Sequence, residues 1–215
     1  TGCNMWHYAA YQIHVDFKAF VDIYPESDRL RALCVQQEDG ETALHCAASS
    51  GDLENLRMML TFFPEAERLQ AMAIPDSRGR TALHFAADHA SNYDSIKSIL
   101  SLLPELDRLQ AVTVQDGYGM TPLHCVATSK NPEAMKVFLD SLPESKRLQA
   151  VNIEDLDGKT VLNCAASSTH DGSIECLDVI MALYPESVRG QVLCTMDTGG
   201  RSVLHCAAQS RNTKL

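Results

Sequence analysis

The sequence is short of several things at once, and each shortage removes a class of explanation. No run of apolar residues in the 215-residue chain approaches the roughly 18 that a membrane-crossing helix needs, so no membrane insertion is expected. Basic charge is in deficit, with 18 Lys and Arg against 28 Asp and Glu, and the cations are scattered rather than massed on one segment. At a net charge of −10, counterion release from nucleic acid would be a poor driving force, so the expected partner is a protein. A glycine-rich phosphate loop, a Cys-x-x-Cys pair and a His-Glu-x-x-His sequence are all missing, which removes the familiar nucleotide and zinc motifs. Also lacking are an initiator Met and a signal-peptide pattern, so Thr1-Gly2-Cys3 reads as the opening of an internal fragment. A cytoplasmic location is the default expectation.

What the chain has is self-similarity. Thr42-Ala43-Leu44-His45, Thr81-Ala82-Leu83-His84, Thr121-Pro122-Leu123-His124, Thr160-Val161-Leu162-Asn163 and Ser202-Val203-Leu204-His205 follow one another at steps of 39, 40, 39 and 42 residues. Pro25, Pro64, Pro104, Pro143 and Pro185, each followed by Glu, march with the same steps and precede the Thr or Ser by 17 residues every time. The other half of the unit varies from 22 to 25 residues, with the extra length around Thr169-His170-Asp171-Gly172. A worn first copy stands at Asn4 to Ala10, and the last stops soon after Ala208. A single array over 1–215 results, with units at about 4–38, 39–77, 78–117, 118–156 and 157–198 and a truncated unit at 199–215.

Within a unit the pattern predicts helices. In the second, Gly40 turns, Thr42 caps, and Ala43 to Ser49 forms a short Ala-rich helix suited to close packing. Gly51-Asp52 breaks and caps again, and Leu53, Leu56, Met59, Leu60 and Phe63 supply the apolar stripe of a second helix. Neither helix buries its face alone, whereas stacked neighbours do. A third, short helix is expected from Pro143 as its first residue, with Glu144 at its positive end and Arg147 paired to Glu144 three residues on. Glu26 with Arg29, Glu65 with Arg68, Glu105 with Arg108 and Glu186 with Arg189 repeat that pairing. Leu148 and Ala150 turn inward, and Val151 and Ile153 lead in extended form to a turn at Asp155 to Gly158. The fixed spacing makes this segment a brace rather than a reactive site.

Gly-x-Thr-Ala-Leu-His-x-Ala-Ala, with an Asp three residues ahead of the Gly at Asp76, Asp116, Asp155 and Asp197, resembles the ankyrin repeat. The resemblance implies an all-α solenoid of helix-loop-helix units, here with a third helix and a hairpin loop. Units of 39 to 42 residues depart from the usual length of about 33. Long units with a Pro-Glu-Ser segment are similar to ankyrin arrays in effector proteins of intracellular bacteria, which implies secretion into a host cell.

The resemblance makes His45, His84, His124 and His205 structural, bonding with the Thr or Ser hydroxyl at the head of the first helix. A catalytic histidine would be singular, and Asn163 in the same place cannot titrate. Cys46, Cys125, Cys164 and Cys206 share one repeat position, and packed helices at about 8–10 Å hold such thiols too far apart for a common zinc or for disulfides. Buried free thiols in a reducing compartment are the expectation. Cys3 and Cys176 fall outside that phase and are the candidates for a redox-sensitive scaffold. Asn152 occupies the hairpin position at which similar arrays are hydroxylated. No catalytic residue, cofactor or metal is expected, and the chain is not read as an enzyme.

Recognition remains. In the family resembled, partners sit on the hairpin tips and the exposed side of the first helix. Those positions here include Arg78 and Arg80, Asp88 and His89, Tyr118 and Met120, Thr128, and Leu156, Asp157 and Lys159. Apolar Tyr118, Met120 and Leu156 between Arg78, Arg80 and Lys159 have the make-up of an interface centre with a charged rim. A monomeric protein-binding scaffold is the favoured reading. The alternative is a substrate-recruiting accessory domain of an enzyme whose catalytic domain lies elsewhere in a longer chain. The truncated last unit should leave Val203, Leu204 and Ala207 partly uncovered, and the array is expected to continue.

Overall fold

Each Thr-x-x-His copy opens a short helix in the computed structural model, which describes residues 5–11, 21–88, 93–129, 131–169 and 172–210. In chain order the helices are α1 (Met5–Tyr11), α2 (Glu26–Leu33), α3 (Ala43–Ser50), α4 (Leu53–Phe62), α5 (Glu65–Met72), α6 (Ala82–Asp88), α7 (Tyr93–Leu102) and α8 (Glu105–Thr113). They continue as α9 (Pro122–Thr128), α10 (Pro132–Asp140), α11 (Glu144–Val151), α12 (Val161–Ser167), α13 (Ser173–Met181), α14 (Glu186–Cys194) and α15 (Val203–Gln209). The first helices α1, α3, α6, α9, α12 and α15 stack on one another as one layer, and α4, α7, α10 and α13 as a second. The fold is an all-α repeat solenoid.

Small residues make the first layer possible. Ala47, Ala48, Ala86, Ala87, Ala127, Ala165 and Ala166 are buried between neighbouring first helices, where longer side chains would force the backbones apart. Leu44, Leu83, Leu123 and Leu162 are also buried, each contributing about 1.5–3 kcal/mol by leaving water. Leu56, Met59, Leu60 and Phe63 form the stripe of α4, and Asp52 caps that helix by accepting from the backbone N–H groups of Glu54 and Asn55.

The third helix differs from expectation in three details. Pro25, Pro64, Pro104, Pro143 and Pro185 are the caps themselves, each extended in ψ at 135–146°, so the following Glu takes the first helical position. Arg147 does not pair with Glu144. Its Nε donates to the Leu142 carbonyl at 3.3 Å, and its Nη2 reaches Asp140 at 3.3 Å. Arg29, Arg68, Arg108 and Arg189 bond the carbonyls of Tyr24, Phe63, Leu103 and Tyr184 in the same way. These carbonyls lie at or just past the end of the preceding helix region and lack helical partners, so the guanidinium meets a stronger need there than beside an exposed carboxylate. Finally, α11 runs through Val151 and no strand forms at Ile153. Among the described residues the only bridge is a single pair, Met196 with Ser202.

At the last unit Leu204 is 54% exposed and Ala207 half-buried, but Val203 is buried. The helix that carries it, α15, packs against α12.

Candidate functional site

Hairpin tips project from the array at each unit boundary. At the third unit's tip, the Asp76 N–H donates to the Arg80 carbonyl at 2.8 Å and Gly79 N–H returns to Asp76 at 3.0 Å. The same closure recurs at Asp116–Met120, Asp155–Lys159 and Asp197–Arg201. Neighbouring tips are joined by one backbone bond each: Ser77 to Asp39, Gly117 to Arg78, Leu156 to Tyr118 and Thr198 to Asp157, at 2.7–3.0 Å. Gly119 shows why glycine ends the turn: its φ is +79°, and a Cβ there would stand 2.7 Å from the Leu156 nitrogen.

Histidines stitch the seams from beneath. The Thr42 N–H donates to His45 Nδ1 at 3.0 Å, which leaves the ring proton on Nε2 to donate to the Arg80 carbonyl of the next unit at 3.1 Å. His84 reaches the Met120 carbonyl and His124 the Lys159 carbonyl in the same manner. His7, in the worn first copy, bonds the Glu41 carbonyl. Burial lowers the pKa of all four rings, keeping them neutral. The expected bond to the capping Thr is therefore half of the role, and the cross-unit bond is the other half.

The described residues singled out for recognition differ in how freely they stand. Tyr118 and Leu156 are 63% and 74% exposed on adjacent tips whose backbones are bonded together. Met120 is half-buried and packs against the core. Arg78 is exposed, whereas Arg80 is held by Asp76 at 2.9 Å, lies within 3.7 Å of Asp88 and stacks over Phe85 at 4.2 Å. Lys159 bonds Asp157 at 2.7 Å, and that bond raises its pKa. Thr128 is exposed and donates to the Cys125 carbonyl. His89, together with Cys3 among the candidate reactive thiols, lies outside the described residues.

A groove of about 400 Å³ runs along the inner side of these tips, lined by Met120, Thr128, Asp155, Lys159, Cys164 and Ser167. The hairpin Asp residues at 76, 116, 155 and 197 differ in what meets their side chains. A signal was present in the residue four places on, which is Arg at 80 and 201 but Met at 120 and Lys at 159.

Most of the described thiols are buried, whereas Cys194 is exposed. Cys46, Cys125, Cys164 and Cys206 are buried and form no disulfide, and burial pushes Cys125 up strongly and Cys164 to about 12. Cys176, proposed above as a reactive thiol, is wholly buried with its pKa raised to about 11. That environment removes it from the redox reading. Asn152 is exposed in its backbone turn, and its Oδ1 accepts from the buried Tyr184 hydroxyl.

No curated protein matches the chain. A family model described as ankyrin repeats (3 copies) matches residues 6–108 and 99–187. Ankyrin repeats are in general protein–protein interaction modules and typically non-catalytic. No helix among the described residues is long and apolar enough to cross a membrane. The match spans the stacked helices, the histidine seams and the hairpin ladder alike, and the chain belongs to the ankyrin-repeat family.

Proposed function

We propose that the chain is a non-catalytic scaffold that holds one partner protein along the hairpin tips and inner groove of its middle units. The observation that carries this reading is the pair of exposed apolar side chains, Tyr118 and Leu156, on adjacent bonded tips above a groove. Large side chains held on a rigid backbone lose little entropy when a partner covers them. Around them Arg78, Asp88, Thr128, Asp157 and Lys159 form a polar rim, with Arg80 and Met120 positioned from the turn behind. The units are taken at the boundaries given above, and the protein acts as a monomer.

A double variant, Tyr118→Ala with Leu156→Ala, should lose at least tenfold in partner capture with its helical content and thermal midpoint unchanged. Met120 is left intact because it also packs against the core. Full binding by the folded double variant would remove this surface from consideration. Within the same reading, the long unit with its Pro-Glu brace favours an effector delivered into a host cell. A reporter fusion that never reaches the host cytosol during infection would sink that part alone.

A further inference from the structure

Four hairpins place an aspartate at the same position, but the chain completes only two of them. Asp76 accepts the Arg78 and Arg80 N–H groups on Oδ1, at 2.9 and 2.7 Å. Its Oδ2 is held by the Arg80 guanidinium through Nε at 3.0 Å and Nη2 at 2.9 Å. Asp197 is matched by Arg201 at the same two distances. Asp116 Oδ1 accepts from the N–H groups of Tyr118 and Met120, and Asp155 Oδ1 from those of Asp157 and Lys159, at 2.8–2.9 Å. Their backbone geometry is thus that of Asp76.

Their second oxygens have no such partner among the described residues. Four places after Asp116 stands Met120, which carries no charge. Four places after Asp155 stands Lys159, but its ammonium goes to Asp157 at 2.7 Å. Three carboxylates on these two bonded tips, Asp116, Asp155 and Asp157, therefore face one cation. Asp155 lines the groove, and Met120 and the Lys159 stem line it beside Asp155. Resting on the scaffold reading above, we propose that Asp155, with Asp116 on the adjoining tip, receives an arginine side chain of the partner protein. Arg80 on Asp76 and Arg201 on Asp197 show that a guanidinium fits this carboxylate. The Tyr118 and Leu156 side chains give an apolar flank to the residues on either side of that arginine, so the partner segment is basic and apolar in alternation.

The test uses the full chain labelled with nitrogen-15 and, as probe, the peptide acetyl-Leu-Arg-Leu-amide against its citrulline counterpart, which keeps the shape and loses the charge. The arginine peptide should move the amide resonances of Asp157 and Lys159, the donors to Asp155, and more weakly those of Tyr118 and Met120. The citrulline peptide should bind at least tenfold more weakly. Lys159→Arg keeps the charge but supplies Asp155 with its own guanidinium, so it should abolish the shifts around Asp155 and, with them, the weaker ones around Asp116. Equal response to both peptides, an unchanged response in Lys159→Arg, or no response at these amides overturns the arginine assignment. The Tyr118→Ala, Leu156→Ala capture experiment is independent of it. Loss of capture there alongside equal peptide responses leaves the surface standing and the arginine refuted.

Discussion

Two seams of the array differ by one side chain. Where α9 meets the next tip, His124 takes the Thr121 N–H on one nitrogen and gives the Lys159 carbonyl a proton from the other, at 3.1 and 3.2 Å. Where α12 should do the same, Asn163 accepts from the Thr160 N–H at 3.2 Å and hydroxyl at 2.8 Å, but its Nδ2 is buried without an acceptor. The cap inside a unit needs only an acceptor at the right place, which an amide oxygen supplies. The bond between units needs a donor on the far side of a ring, and the shorter Asn does not reach. One position thus serves local and long-range order, and a conservative replacement keeps the first while giving up the second.

The tip glycines should give the largest effect on how interior and terminal seams hold together. Gly119→Ala would set a Cβ 2.7 Å from the Leu156 nitrogen at φ +79°, within an interior seam. It should cost about 3–4 kcal/mol by urea unfolding, combining backbone strain with a broken tip bond. Gly200→Ala has a similar φ but nothing within 4 Å, so its cost should stay near the ~1 kcal/mol of the left-handed backbone alone. Similar costs at both sites would mean that crowding at the interior tip is unimportant.

Acid should act next. Burial lowers the folded-state pKa of His7, His45, His84 and His124, so the unfolded chain takes up protons first as pH falls. Their contribution is complete above the unfolded value of about 6.5 and is lost as pH drops from there through the folded values. Urea midpoints measured from pH 7.5 to 5 should fall accordingly. His84→Ala should cost about 2–3 kcal/mol at pH 7.5 and make that fall shallower. A pH profile unchanged by the substitution would separate the histidines from the acid response.

The smallest expected effect is a repair. Asn163→His should regain the cross-unit bond and stabilise by about 1 kcal/mol, read as slower hydrogen exchange in α15 rather than throughout the chain. No gain in α15 would show that the last unit is held by packing around Val203 and Cys206 alone.

The period, the helices and the Thr-to-His cap were legible because each is a local pattern that recurs along the chain. The arginines of the third helix were misread for a physical reason: spacing reveals which side chains share a face, but not that a carbonyl without a partner is waiting five residues back. Val203 was misjudged because which side of a helix faces the preceding unit is fixed by stacking. At the candidate surface, exposure of Tyr118 and Leu156 followed from their place in the turn. The unfilled Asp116 and Asp155 emerged only when equivalent tips were compared atom by atom, since Lys159 looks like a match for Asp155 until its ammonium is seen at Asp157.

Every backbone bond that joins one tip to the next lies within the Pro-to-Thr stretch, which keeps its 17-residue length in all five copies. Among the described residues the passage between the first two helices of a unit carries none of these bonds, and there the sequence has already accepted up to three more residues while the downstream period is kept. This makes the turn after α12 a grafting address. A foreign loop set in at that point would ride on the array as cargo, leaving the phase of the units before and after it unchanged.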